Sequence, residues 1–189
     1  MELLKTLMGI TLILPLVATA ATYDSATYAK LPKYGQAALS ANGTYLAVQV
    51  PDTEFKSEFK KYNLAVIRLK DRKAINVVRF GLGESVTNFF WDTDKRLIIR
   101  TAEQRGSLAP KIPNPNIYAI DADGSNRKVI YGPDVEASAS KASKAKADNL
   151  GGAIISRLRD DQDYILVAKI GVSAVELVKV HTTYATQKL

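Results

Sequence analysis

The chain has 189 residues, of which 47% are hydrophobic and 24% are charged, a balance that is ordinary for a folded globular protein and unusual for a disordered one. The absence of cysteine excludes disulfides, thiolate metal ligands, a cysteine nucleophile and a lipidated N-terminal cysteine. The formal net charge of +7 would suit an anionic partner, but the lysines and arginines are scattered and do not interleave with stacking aromatic residues. We therefore expect no nucleic-acid partner.

Residues 1–20 have the pattern of a secretory signal peptide. Lys5 precedes an apolar run at residues 7–17, and Ala18 and Ala20 supply the small side chains that signal peptidase requires, so cleavage is predicted before Ala21. The apolar run is shorter than the about 20 residues that span a bilayer. We expect no permanent membrane anchor and a periplasmic or secreted protein, with an uncleaved anchor or a buried first helix as alternatives.

The remaining sequence alternates between strand patterns and turn patterns. Runs rich in Val, Ile, Tyr and Phe are typical of strands, and they are separated by short segments of Asn, Asp and Gly that favour tight hairpin turns. Six hairpins are predicted, with turns at residues 42–43, 71–72, 92–94, 123–124, 160–161 and 181–183.

Successive pairs of hairpins resemble one another. Tyr45-Leu46 is matched by Arg96-Leu97 and by Tyr164-Ile165, which indicates a unit of four antiparallel strands that occurs three times. Repeats of this size and strand count are typical of propeller blades. We predict an all-β fold with about three four-stranded antiparallel blades of an incomplete β-propeller, preceded by a signal-peptide helix. The predicted divisions are a signal peptide at 1–20 and a partial propeller at 21–189, with blades at about 34–80, 84–132 and 153–189 and a flexible loop at about 133–152.

Two segments carry a resemblance to known proteins. Residues 39–47 resemble the opening hairpin of a blade in TolB-like and prolyl oligopeptidase-like propellers, and residues 117–124 resemble the third strand and outer turn of such a blade. With the signal peptide and residues 80–101, the mature chain is similar to the N-terminal part of secreted bacterial serine peptidases of the prolyl oligopeptidase family. The resemblance implies a C-terminal α/β-hydrolase domain in the same parent chain, which carries the Ser-Asp-His triad, and a propeller that admits only short peptides.

The sequence itself carries no pattern for catalysis. The G-x-S-x-G elbow is absent, since Gly83-Glu84-Ser85 is not followed by glycine, and the lone His181 has no serine motif beside it. One histidine and no cysteine also disfavour a transition-metal site, so we expect neither a metal nor a cofactor. Whether the protein is an enzyme stays open: it resembles a serine-type peptidase family, but these residues contain no triad.

Other polar and aromatic groups have a structural interpretation beside a functional one. Several aspartates could do acid–base work or bind calcium, but they fall in predicted turns, where Asp caps backbone N–H groups. Asn42-Gly43-Thr44 matches a glycosylation sequon and is better explained by its turn. The run Phe89-Phe90-Trp91 suits a strand core better than a ligand platform. The aspartates are Asp92, Asp94, Asp121, Asp123, Asp160, Asp161 and Asp163.

Glu103 and Arg105 are the two substrate-contact candidates. They lie in a long segment with three prolines, and in the resembling family charged propeller residues can hold the terminus of a peptide; an exposed, proline-stiffened loop is the alternative. The predicted function is a non-catalytic substrate gate and scaffold of an exported serine peptidase, with short peptides and the hydrolase domain as partners. The alternative is a TolB-like propeller that docks envelope proteins without enzymatic activity.

Overall fold

The computed structural model describes residues 33–57, 59–135, 151–161, 163–170 and 174–188, all of them within one compact unit, Pro32–Leu189. The predicted signal-peptide helix, with Ala18, Ala20 and Ala21 at its cleavage site, lies outside the described residues, and so does most of the predicted loop at 133–152. Within the described ranges, no helix is long and apolar enough to cross a membrane.

The described chain consists of strands and turns that form three antiparallel sheets. The first sheet has the order β1-β2-β3-β4, the middle sheet β5-β6-β8-β9 with β7 beside β6, and the third sheet β10-β11-β12-β13. The strands are β1 (Ala37–Leu39), β2 (Tyr45–Pro51), β3 (Tyr62–Arg68), β4 (Lys73–Val78), β5 (Glu84–Trp91), β6 (Arg96–Glu103), β7 (Ile112–Pro113), β8 (Ile117–Asp121), β9 (Lys128–Tyr131), β10 (Gly152–Ser156), β11 (Tyr164–Ile170), β12 (Val175–His181) and β13 (Gln187–Lys188).

Local sequence explains where the hairpins turn. Gly43 and Gly124 adopt positive φ angles of 69° and 93° at two predicted turns, a conformation that costs glycine little because it has no Cβ. The Asn42 side chain accepts hydrogen bonds from the Thr44 amide and the Ser40 hydroxyl, both at 2.9 Å. These contacts confirm the turn interpretation of the Asn42-Gly43-Thr44 segment.

Two hydrophobic cores lie on opposite faces of the middle sheet. Alternation along β6 directs Leu97 and Ile99 into the core shared with the first sheet, and Ile98 into the core shared with the third sheet. Leu64 and Val66 supply the first sheet's contribution, and buried residues of β11 and β12 supply that of the third sheet. Burying each large aliphatic side chain contributes about 1.5–3 kcal/mol, so the middle sheet is the structural centre of the unit.

The prediction of an incomplete β-propeller is wrong. The described chain forms three open antiparallel sheets that neither curl nor close, and the middle sheet has five strands because β7 folds back onto the end of β6, with Ala102 opposite Pro113. The sequence repeat predicts the number and order of strands in each unit. It does not predict the angle at which one sheet packs on the next, because that angle depends on side-chain volumes in the two cores and on the connecting segments.

Candidate binding groove

A groove runs along β5, between β1 on one side and β10 on the other. These three strands are the first strands of their sheets, and within the described residues each pairs along one edge only, with β2, β6 and β11 respectively. The groove comprises two cavities, of about 480 and 380 Å³, and Arg157 lines both. We call it the first-strand groove.

The larger cavity is mostly apolar. Asn88 and Phe90 of β5 lie at its base together with Arg100 of β6, and residues 153–157 form its wall. The Arg157 guanidinium lies over the Phe90 ring, 4.3 Å from its centroid, in a cation–π contact. This cavity therefore offers a hydrophobic surface next to positive charge.

The smaller cavity lies where the first and middle sheets meet. Trp91 and Asp92 line it from the middle sheet, Leu39 from β1, and Arg157 and Arg159 from the third sheet. The Trp91 indole N–H donates to the Ala38 carbonyl at 3.0 Å, and the indole stacks on Tyr45 with ring centroids 6.0 Å apart. Trp91 thus fixes the position of β1 and also forms part of the groove surface.

Side-chain amides partly replace a neighbouring strand along the free edge of β5. The Gln36 amide donates to the Phe89 carbonyl at 2.8 Å and accepts from the Phe89 amide at 3.4 Å, as the backbone of a paired strand would. Gln49 donates to the Val86 carbonyl at 3.1 Å. Buried backbone polar groups need partners, and these glutamines supply them while leaving the groove open.

The position of β10 depends on a close approach at Gly152. A Cβ added there would lie 2.5 Å from Val167 Cγ1 and 2.7 Å from Tyr131 Cε1. Arg100 Nη1 donates to the Gly152 carbonyl at 2.6 Å and ties β10 to the middle sheet. A register shift between Ile154 and Ser156 follows, and Ile155 there is 56% exposed.

Three arginines give the groove its charge. Arg100, Arg157 and Arg159 form no ion pair with the described acidic residues. Burial lowers the pKa of Arg100, while burial and the neighbouring Arg159 lower the pKa of Arg157. Because no described carboxylate pairs with any of the three, an anion in the groove would be electrostatically favoured.

Asp92 is the acidic residue of the groove lining. Neither carboxylate oxygen has a hydrogen-bond partner of good geometry among the described residues, although both oxygens are buried. Burial raises the pKa of Asp92 to about 6, against the opposing effects of the nearby Thr182 hydroxyl and the Arg96 guanidinium. A carboxylate with this pKa is partly protonated near neutral pH.

Glu103 and Arg105, the substrate-contact candidates from the sequence, lie outside the first-strand groove. Arg105 Nε is 3.0 Å from Glu103 Oε1, and the two side chains are 76% and 44% exposed. An ion pair with this exposure forms a solvated surface, and neither residue lines either cavity. Their role in binding substrate stays a prediction.

The residues weighed for catalysis have structural partners. Nδ1 of His181 accepts from the Thr183 amide at 3.1 Å, and its ring packs between Tyr164 and Tyr184. The buried Ser85 hydroxyl accepts from the Tyr62 amide at 2.8 Å. Each side chain therefore holds neighbouring backbone in place.

Several of the turn aspartates bind nearby backbone or basic groups. Asp94 accepts from the Asn42 amide at 2.7 Å, Asp121 pairs with Arg96 at 2.6 Å, and Asp123 caps Ser125. Within the described residues, no three His, Cys, Asp or Glu side chains are grouped so that they could hold a metal ion. These contacts support the interpretation of these aspartates as turn residues.

The aromatic run packs as a strand core, the interpretation that the sequence favours, and two of its residues also line the groove. Phe89 is fully buried, and Phe90 and Trp91 are 6% and 8% exposed, as expected for core residues. Phe90 and Trp91 nevertheless contribute surface to the groove. No sequence pattern indicated Arg100 or Ile155, because neither lies in a motif, and the alternation Arg157-Leu158-Arg159 was the one available indication of a basic wall.

Comparison with known proteins identifies no family. No protein-family model matches the chain, and no curated protein matches it significantly. Among solved structures, a candidate conserved lipoprotein from Clostridium novyi is similar with a TM-score of 0.48 and 12% identity, over 80% of this chain and 89% of that one. A likeness this weak carries no argument about function.

Proposed function

We propose that this chain is a non-catalytic binding and scaffold part of an exported protein, and that its first-strand groove holds an extended segment of another polypeptide. The observation that carries the proposal is the about 480 Å³ cavity along the edge of β10 that pairs with no described strand, with the apolar surface of Phe90 at its base. Extended peptides bind such edges by adding a strand, with affinity from backbone hydrogen bonds and specificity from adjacent side-chain pockets.

The catalytic partner implied by the resemblance fits this proposal. A hydrolase domain in the same parent protein would receive short peptides that the groove admits or positions, which makes the chain a gate and scaffold in peptide hydrolysis. The alternative is docking of an envelope protein with no enzymatic activity. The parent gene distinguishes them, since a G-x-S-x-G segment is required by the first and not by the second.

Export is supported by the sequence pattern of residues 1–20. Expression of the full chain in a bacterium should yield a form outside the cytoplasm that begins at Ala21. An exported form that retains Met1 would contradict cleavage, and a form found only in the cytoplasm would contradict export.

Binding can be followed through Trp91, which is the one tryptophan of the chain and lines the groove. The probe is a pool of acetylated random pentapeptides that lack tryptophan, prepared both as free acids and as amides. We expect at least one of the two pools to change the emission of Trp91 saturably. If neither pool does so, the groove is not a peptide-binding site and the proposal fails.

Two equally exposed isoleucines, one in the groove and one outside it, test where on the molecule the peptide binds. Ile155 lines the groove and Ile112 lies on β7, and both side chains are 56% exposed, so replacing either should leave the fold intact. We expect Ile155→Glu to weaken binding of the responding pool by about tenfold, which is about 1.4 kcal/mol, and Ile112→Glu to leave it unchanged. Equal effects of the two substitutions would place the site elsewhere.

A further inference from the structure

We infer that the first-strand groove recognises the free C-terminal carboxylate of its peptide, and that Arg157 is the residue that binds this carboxylate. This inference rests on the proposed function, because it specifies which end of the peptide the groove holds. The peptide would run back from Arg157 along β10, parallel to it, with its last side chain against Ile154 and Ile155.

The first argument concerns which arginine has donors to spare. Arg100 already donates to the Gly152 carbonyl at 2.6 Å and to the Asn114 carbonyl at 3.4 Å, so its guanidinium is held in place. Arg157 contacts the Phe90 ring through its guanidinium and has no hydrogen bond among the described residues. Its N–H donors are therefore available, and the fork geometry of a guanidinium matches a carboxylate bidentately.

The second argument concerns charge. Burial and the nearby Arg159 lower the pKa of Arg157, and the described residues supply no acidic partner for either arginine. A bound anion would relieve this repulsion. The one carboxylate in the lining, Asp92, has buried oxygens and does not pair with either arginine.

The third argument concerns position and surroundings. Arg157 lines both cavities, so a carboxylate bound to it would lie at their junction, with the larger cavity available for the preceding residues. That cavity is lined by Phe90, Ala153, Ile154 and Ile155, which suit apolar side chains. A compact, fully hydrated anion such as phosphate would leave this hydrophobic surface unused, whereas the end of a peptide provides both an anion and an apolar group.

The test compares the pentapeptide pools prepared as free acids and as amides. We expect the acid pool to bind at least about tenfold more tightly than the amide pool, with Trp91 emission as the readout. If the two pools bind equally, the carboxylate inference is overturned while the proposed groove function stands; if neither binds, the proposed function itself fails. Displacement of the acid pool by an equal concentration of inorganic phosphate would show a general anion site and overturn the preference for a peptide end.

Two arginines give a matched control. Arg127 lies over the Phe80 ring at 4.5 Å, as Arg157 lies over Phe90 at 4.3 Å, but Arg127 does not line the groove. We expect Arg157→Gln to abolish the difference between acid and amide binding, Arg157→Lys to retain part of it, and Arg127→Gln to retain all of it. Loss of the difference in both glutamine variants would reduce the effect to net charge and contradict the assignment to Arg157.

Discussion

Asp92 shows how a single residue at the end of a strand can couple pH to stability. Its backbone amide donates to the Arg96 carbonyl at 2.8 Å, which closes the turn between β5 and β6 and fixes the carboxylate in a buried position. Around it lie the Thr182 side chain, the Arg96 guanidinium and Asp163, and the last of these raises its pKa further by like-charge repulsion. The Arg96 guanidinium already has other partners, because it pairs with Asp121 and donates to the Thr182 carbonyl.

Replacing Asp92 with Asn should stabilise the protein at pH 7–8. Folding raises the pKa of this carboxyl from 3.8 to about 6, so the folded state binds the proton more tightly, and the stability contributed by protonation is lost as the pH rises from about 4 to above 6. Asp92→Asn removes that decline and, after allowance for solvent screening, should raise the free energy of unfolding at pH 7.5 by on the order of 1 kcal/mol.

The measurement is urea unfolding between pH 4 and pH 8. The exposed Asp160 provides a control, since Asp160→Asn should leave the shape of the stability curve as it is in the unsubstituted protein. A parallel decline with pH in Asp92→Asn and the unsubstituted protein would show that Asp92 is not the group that titrates.

At the scale of elements, β10 is a strand whose position depends on the absence of a side chain at its first residue. Gly152 packs against Val167 on its own sheet and against Tyr131 of β9 in the middle sheet. The Tyr131 hydroxyl is buried without a described hydrogen-bond partner, and burial raises its pKa to about 12. The wall of the groove is therefore set by a tight contact between the middle and third sheets.

Gly152→Ala should move β10 and weaken both stability and binding. The new methyl group would meet Val167 Cγ1 at 2.5 Å and the Ala168 carbonyl oxygen at 2.9 Å, and the backbone atom cannot rotate away. Overpacking of this kind costs about 1–3 kcal/mol, and we expect a lower melting temperature together with weaker peptide binding.

Gly81→Ala is the matched control, because the nearest atom to its added Cβ is the flexible Glu84 Oε2 at 3.6 Å. Thermal unfolding and the Trp91 titration should both be close to those of the unsubstituted protein. If Gly152→Ala lowers stability and binding no more than Gly81→Ala does, the tight contact beneath β10 is contradicted.

At the scale of the whole molecule, the middle sheet joins two cores that share no residue among those described. Leu97 and Ile98 are adjacent and both fully buried, yet Leu97 belongs to the core with the first sheet and Ile98 to the core with the third sheet. Hydrogen bonds near the hairpin turns also join the sheets. The Asn42 backbone amide donates to the Asp94 carboxylate, and the Arg96 guanidinium donates to the Thr182 carbonyl.

We expect Leu97→Ala and Ile98→Ala each to lower the stability of the entire unit by about 2–5 kcal/mol in a single unfolding transition. Both substitutions leave cavities against the middle sheet, and among the described residues each outer sheet buries its apolar face only against that sheet. Circular dichroism and Trp91 emission should report coincident transitions in both variants. If Ile98→Ala unfolds in two steps, with Trp91 emission changing only in the second, the third sheet is an independent folding unit.

The strands and turns were predictable from sequence to a much greater extent than their assembly was. Asn42-Gly43 and Asp123-Gly124 marked hairpins because positive φ favours glycine, and the apolar run in β6 marked a strand. The repeat could not reveal that Ile112–Pro113 adds a fifth strand, nor that the sheets stay open. The groove was missed because its residues, such as Arg100 and Ile155, are brought together only by packing between sheets.

Hydrogen–deuterium exchange with and without the acid peptide pool tests the central claim, that the first-strand groove binds an extended polypeptide, most directly. Among the described strands, the sheets end on two sides: β1, β5 and β10 border the groove, while β4, β9 and β13 lie at the opposite ends of the sheet orders. Strand addition protects backbone amides at the edge that is used. The account predicts new protection at residues 153–156 of β10 and none along β4, β9 or β13, whereas protection confined to those opposite strands, with β10 unchanged, would contradict it.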